Sequence, residues 1–170
     1  MEIRKARKTD IDPLMALFDE ARQTIAALGI DQWQNGYPNP VVTSEDIGLE
    51  RAHIVEQNGT ICGTFVTVDN GEPTYDVIVD GHWLSGDGYK HYLALHRVAV
   101  AVAMRGKGVS DMMVDYAVKK AREGGFTSLR IDTHKGNVVM RRMLEHHGFT
   151  PCGTIFLASG APRVAYERLV

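Results

Sequence analysis

The chain has 170 residues, 44% of them hydrophobic and 24% charged, with a formal net charge of −2. That length can close a sizeable core, and a single domain is expected. The near-neutral balance excludes long-range attraction for nucleic acid or an anionic membrane surface, and no apolar run approaches the roughly 18 residues of a membrane span. Met1-Glu2-Ile3-Arg4-Lys5 lacks the apolar stretch of a secretory signal. Cys62 and Cys152 are the only cysteines, and without a CxxC spacing they read as plain buried thiols. The expected compartment is the cytoplasm.

Residues 2–7 read as an opening strand. Thr9 then offers a cap to a helix whose apolar face is Ile11, Leu14, Met15, Phe18, Ala21 and Ile25, and Gly29 ends it. Residues 31–40 form an irregular aromatic loop with Trp33 and Tyr37, after which Thr43 or Ser44 starts a short second helix. Residues 52–57 and 60–68 are β-rich runs joined by Asn58-Gly59, a hairpin signal. Residues 69–90 scatter Gly, Pro and Asp among Tyr75, Val77, Ile78, Val79, Trp83 and Leu84, and read as an excursion. Residues 92–100 are a strand. Residues 108–123 are a helix with Val109, Met112, Met113, Tyr116, Ala117 and Lys120 on one face, stopped by Gly124-Gly125. A strand over 128–133, a helix over 137–147 ended by Gly148, and two last strands around Ser159-Gly160-Ala161-Pro162 complete the order β-α-α-β-β-β-α-β-α-β-β.

Arg105-Gly106-Lys107-Gly108-Val109-Ser110 joins the strong strand to the long helix. The first turn of a helix presents unpaired amides and the positive end of the dipole, so a phosphate is stabilised there. Gly106 and Gly108 clear its approach, and Arg105 and Lys107 add positive charge. The hexapeptide is neither a P-loop nor a dinucleotide fingerprint, since Asp111 stands where the latter needs its third glycine. Val98-Ala99-Val100 followed by Arg105-x-x-Gly108-x-Ser110 resembles the acetyl-CoA motif (R/Q)xxGx(G/A) of the GNAT acetyltransferases, with Ser110 at its last position. Ala101-Val102 replaces the acidic-proline pair common in that loop. Downstream, Asn137, Met140 and Gly148-Phe149 match the family's Asn-bearing helix and its closing Gly-Phe. The Leu95 to Val100 and Asp132-Thr133-His134 stretches resemble uncharacterised bacterial members.

The resemblance implies an α/β (α+β) GNAT fold, with a mixed, mostly antiparallel central sheet flanked by helices, and acetyl-CoA as co-substrate. By it, the backbone of Val98, Ala99 and Val100 pairs with the pantetheine arm, the loop from Arg105 to Ser110 holds the diphosphate, and Asn137 bonds the arm near the thioester. It further implies acetyl transfer to a primary amine, with the Val100 amide or its neighbour polarising the thioester carbonyl; a small amine or amino-acid derivative is the first expectation for the acceptor, and a protein N-terminus or lysine the second. Strand alternation puts His96 on the face of Ala94, Val98 and Val100, where it reads as the general base. Leu144 occupies the position at which many members carry a proton-donating tyrosine, which leaves His134 as a candidate donor and keeps open a non-catalytic CoA-binding sensor. Trp33, Tyr37 and Trp83 are candidates for an acceptor wall, with Asp76 or Asp80 to attract a cationic amine. No metal-ligand spacing is present: His146 and His147 point about 100° apart on one helix. The scattered basic residues read as solvated faces, without a nucleic-acid partner. The sequence leaves a homodimer open.

Overall fold

A computed structural model describes residues 1–69, 71–88 and 90–170. The elements are β1 (Glu2–Lys5), α1 (Ile11–Ala26), α2 (Pro40–Gly48), β2 (Ala52–Gln57), β3 (Thr60–Asp69), β4 (Tyr92–Val100), α3 (Val109–Glu123), β5 (Ser128–Thr133), α4 (Val138–His146), β6 (Thr150–Phe156) and β7 (Pro162–Leu169). This is the order expected from the sequence. The seven strands form one sheet in the order β1-β2-β3-β4-β5-β7-β6, flanked by the four helices. β4 and β5 run parallel with α3 as their crossover, whereas the pairs β1-β2, β2-β3, β5-β7 and β6-β7 are antiparallel. Asn58 and Gly59 take φ of +52° and +78°, as a two-residue hairpin turn requires.

The chain forms two compact units. In the first, Met1–Thr67 with Arg97–Met113, α1 buries Leu14, Leu17, Phe18, Ala21 and Ile25. The cap expected at Thr9 is absent. Instead the Asp10 carboxylate accepts the Arg7 amide at 2.7 Å and both guanidinium nitrogens of Arg4 at 2.8 and 3.0 Å, which ties the turn to β1. α2 starts at Pro40, not at Thr43 or Ser44. The Asn39 side chain accepts from the amides of Val41 and Val42, and a proline in the first turn loses no ladder bond. A Cβ added at Gly63 would lie 2.9 Å from the Ala99 carbonyl oxygen and from a Val109 methyl, so only glycine lets β3 meet β4 and the start of α3 this closely. The buried face of α3 is Val109, Met113, Val114, Ala117, Val118 and Ala121; the expected Met112, Tyr116 and Lys120 sit half-exposed at its margin.

In the second unit, Val68–His96 with Val114–Val170, the excursion supplies part of the core. Tyr75 and Trp83 pack with Tyr92, Ala94, Cys152, Ile155 and Ala165. Val79 exchanges backbone hydrogen bonds of 2.9 and 2.8 Å with Thr154 of β6. Tyr89, near the end of this excursion, lies outside the described residues. Beneath the excursion, the buried Arg130 guanidinium meets Glu167 at 2.9 Å and lies over the rings of Trp83 and Tyr92 at 4.1 and 4.2 Å. Ser85 and Ser128 each donate a 2.6 Å hydrogen bond to the same Glu167 oxygen, and the Ser85 amide reaches the other at 3.1 Å. Burial pushes the Glu167 carboxyl up, but these bonds and Arg130 outweigh it and hold it below its ordinary value. Glu167→Ala leaves a cation buried at 1% exposure, so a loss of about 3–5 kcal/mol in urea unfolding is expected. A loss under about 1 kcal/mol would contradict this role.

Candidate active site

The first ladder bond of α3 runs from the Met112 amide to the Gly108 carbonyl at 3.2 Å. The amides of Val109, Ser110 and Asp111 precede it and carry the positive end of the helix. Gly106 and Gly108 turn the chain at φ of +70° and +80°, in the left-handed region where a side chain is strained. Arg105 and Lys107 are exposed on this turn. The turn is braced on its N-terminal side. Ala101 donates to the Cys62 carbonyl at 2.9 Å, Val102 to the Glu20 carboxylate at 3.0 Å, and Arg105 to the Thr24 hydroxyl at 3.0 Å. A Cβ at Gly106 would meet nothing within 4 Å, and one at Gly108 only an Asp111 carboxylate oxygen at 3.5 Å. This is a sterically clear helix start preceded by two exposed cations, chemically suited to a diphosphate.

β4 is not a regular strand. Arg97 sits at φ +52° in its middle, so the alternation that would place His96, Val98 and Val100 on one face is broken between them. That expectation is corrected. The Arg97 side chain reaches the buried Asp46 through two nitrogens, at 2.6 and 2.8 Å, and also donates to the Tyr37 hydroxyl. Asp46 is 1% exposed and accepts from Arg51 at 2.7 Å as well. β4 pairs with β5 only through Tyr92, Leu93 and Ala94 among the described residues.

His96 lies just before the break. Its Nε2 is 3.0 Å from Glu72 Oε2, and the Tyr75 ring stacks on it at 6.1 Å between centroids. The Tyr75 hydroxyl donates to Asp132 at 2.8 Å. Burial pushes the Glu72 carboxyl up, but His96 and Thr74 outweigh it and hold it at about 2. Burial also drives the Asp132 carboxyl up, against the pull of His96 and the Tyr75 bond, and with Asp132 it raises the Tyr75 hydroxyl well above its usual range. An imidazole paired with an ionised carboxylate, beside a half-buried Asp132 bonded to Tyr75, is an arrangement that can move a proton.

The model of the acetyltransferase (GNAT) family matches residues 16–149. A GNAT-family acetyltransferase structure from Streptococcus agalactiae is 35% identical, with 99% of this chain and 95% of that one covered at a TM-score of 0.85. The chain belongs to the GNAT acetyltransferase family. No curated protein matches it. The ribosomal-protein-alanine N-acetyltransferase of Brucella melitensis (19% identity, 100% of both chains, TM-score 0.71) shares the fold. So does the PaiA N-acetyltransferase of Thermoplasma acidophilum, solved in complex with coenzyme A (15% identity, 99% of this chain and 98% of that one, TM-score 0.73).

In this GNAT chain the other expected residues divide clearly. Trp33 and Tyr37 meet edge to face at 6.4 Å and remain half-buried, with Tyr37 fixed by Arg97. Trp83 is no acceptor wall: at 1% exposure it fills the core, and its indole N–H donates to the Tyr75 carbonyl at 3.1 Å. Asp76 pairs with Lys90 at the surface. His134 Nδ1 accepts the Gly136 amide at 3.0 Å, and the Asn137 side-chain oxygen caps α4 by accepting from Met140 at 3.2 Å. Leu144 is buried at 1% exposure. Among the described residues no group of His, Cys, Asp and Glu could hold a metal, and no helix is long and apolar enough to cross a membrane. Glu72, Tyr75, Asp46 and Arg97 are the polar residues that the sequence left unassigned. Only Glu72 carried a local signal, standing before Pro73 as the cap of a short helical turn.

Because the Glu72 carboxyl is held below its ordinary 4.5, its contribution to stability is full above that value and is lost as pH falls through about 2. Between pH 5 and pH 2 the wild-type urea midpoint should therefore fall further than that of Glu72→Gln. Equal losses would contradict the pairing.

Proposed function

We propose that this chain is an N-acetyltransferase that moves an acetyl group from acetyl-CoA to a primary amine, a small amine or an amino-acid derivative, by direct attack. The observation that carries the reading is the start of α3, preceded by the exposed Arg105 and Lys107 and turned by two glycines that leave its approach clear. The family membership and the coenzyme A complex of the PaiA relative support it.

In this reading acetyl-CoA supplies the acetyl thioester, and the chain positions it. The amides of Val109 and Ser110 hold the diphosphate, Arg105 and Lys107 neutralise it, and the backbone of Val98 to Val100 pairs with the pantetheine arm. The Val100 amide polarises the thioester carbonyl, and Asn137 bonds the arm nearby. His96 takes a proton from the acceptor ammonium, so that the neutral nitrogen attacks the carbonyl carbon as the C–S bond breaks. Leu144 cannot protonate the departing thiolate; water or the proton held by His96 serves instead. Trp33 and Tyr37 flank the acceptor.

A second reading, a CoA-binding sensor without turnover, rests on Leu144 alone. Thiol release from acetyl-CoA across a panel of amines separates the two: transfer to any amine supports the enzyme, and binding without transfer to any supports the sensor. Gly108→Glu sets a carboxylate against the diphosphate and should weaken coenzyme A binding by more than ~100-fold in calorimetry. Gly108→Ala carries the backbone strain without the charge and should lose less. Undiminished affinity in the Glu variant would refute the loop assignment. His96→Ala should lower kcat by the ~10²–10⁴ of a lost general base and spare coenzyme A affinity; a wild-type rate would remove His96 from that role.

A further inference from the structure

The excursion between β3 and β4 carries a carboxylate whose two oxygens are both engaged. Glu72 Oε1 accepts the Thr74 hydroxyl at 2.8 Å and its amide at 3.4 Å, while Oε2 faces His96 Nε2 at 3.0 Å. Its backbone is held too, since the Tyr92 hydroxyl lies 3.3 Å from the Glu72 amide nitrogen. On its other side the imidazole is stacked against Tyr75, whose hydroxyl is bonded to Asp132. The ring thus has a carboxylate at ion-pair distance from one nitrogen, outside hydrogen-bond alignment, and an aromatic face beside it.

We propose that Glu72 is the positioning residue of the reaction: it fixes the proton of neutral His96 on Nε2, and so makes Nδ1 the nitrogen that takes the proton from the acceptor amine. This deepens the reading of His96 as general base and rests on it. An ionised carboxylate has no proton to donate and repels a ring lone pair held 3.0 Å from it, so the proton is favoured on the nitrogen that faces it and the lone pair on the other. When Nδ1 takes the proton from the ammonium, the ring becomes an imidazolium whose charge Glu72 offsets at 3.0 Å. The amine keeps the electron pair with which it attacks. The Glu72 carboxyl stays ionised throughout the neutral range, so the preference persists wherever the enzyme works.

The test is Glu72→Gln in the full chain, read by ¹⁵N NMR of histidine-labelled protein and by steady-state kinetics. The wild type should show neutral His96 as the Nε2–H tautomer. The variant should shift toward Nδ1–H and lose about 10²-fold or more in kcat, with the KM for acetyl-CoA held. Glu72→Asp, which keeps the charge, should recover part of both. Thr74→Ala releases one carboxylate oxygen and should move both readouts in the same direction by less, which keeps the test available if the Gln variant fails to fold. An unchanged tautomer and kcat in Glu72→Gln, while His96→Ala loses activity, overturns the positioning role and leaves His96 as the base. Full activity in His96→Ala sinks the base assignment itself.

Discussion

A left-handed residue in the middle of β4 sets the geometry on which the site depends. Arg97 at φ +52° is in a region that costs a non-glycine residue about 1–3 kcal/mol, and its own side chain supplies the compensation. The guanidinium meets the buried Asp46 at two points and donates to Tyr37, and Arg51 shares the same carboxylate. An uncompensated Asp46 at 1% exposure would be costly, so the pair and the strand break stabilise each other. The break interrupts the plain alternation that a regular strand would carry through Arg97.

The turn into α3 is held by different means. Its amides stand at the start of the helix, before the bond from the Met112 amide to the Gly108 carbonyl. Its glycines adopt φ values that other residues resist, and its flanks are tied to Glu20 and Thr24 of α1. Neither cation in the turn needs burial, so its charge remains available to an anion. The excursion that carries Glu72 and Tyr75 is anchored separately, by Trp83 in the core and by Ser85 on the Arg130 and Glu167 pair. The His96 side chain is thus met by a long loop that is itself anchored in the core.

Much of the fold was legible in the residues themselves. The hairpin at Asn58-Gly59, the apolar stripe of α1 and the strands over 92–100 and 128–133 follow from turn chemistry and periodicity, and the turn before α3 followed from its glycines and charges. What escaped were contacts across long sequence separations. Glu72 meets His96 across 24 positions and Tyr75 meets Asp132 across 57, and no local pattern announces either. Trp83 read as part of an acceptor wall because it stands in an excursion rich in Gly, Pro and Asp, although the fold turns it inward over Arg130. The bend at Arg97 was hidden for the converse reason: an arginine in an apolar run looks like ordinary alternation until its φ is known.

The most direct measurement is a crystal structure of the chain with coenzyme A. The diphosphate oxygens should lie within about 3.2 Å of the amide nitrogens between Gly106 and Ser110, with the thiol end running along the backbone of Val98 to Val100. Coenzyme A bound elsewhere, with those amides facing solvent, would contradict the account.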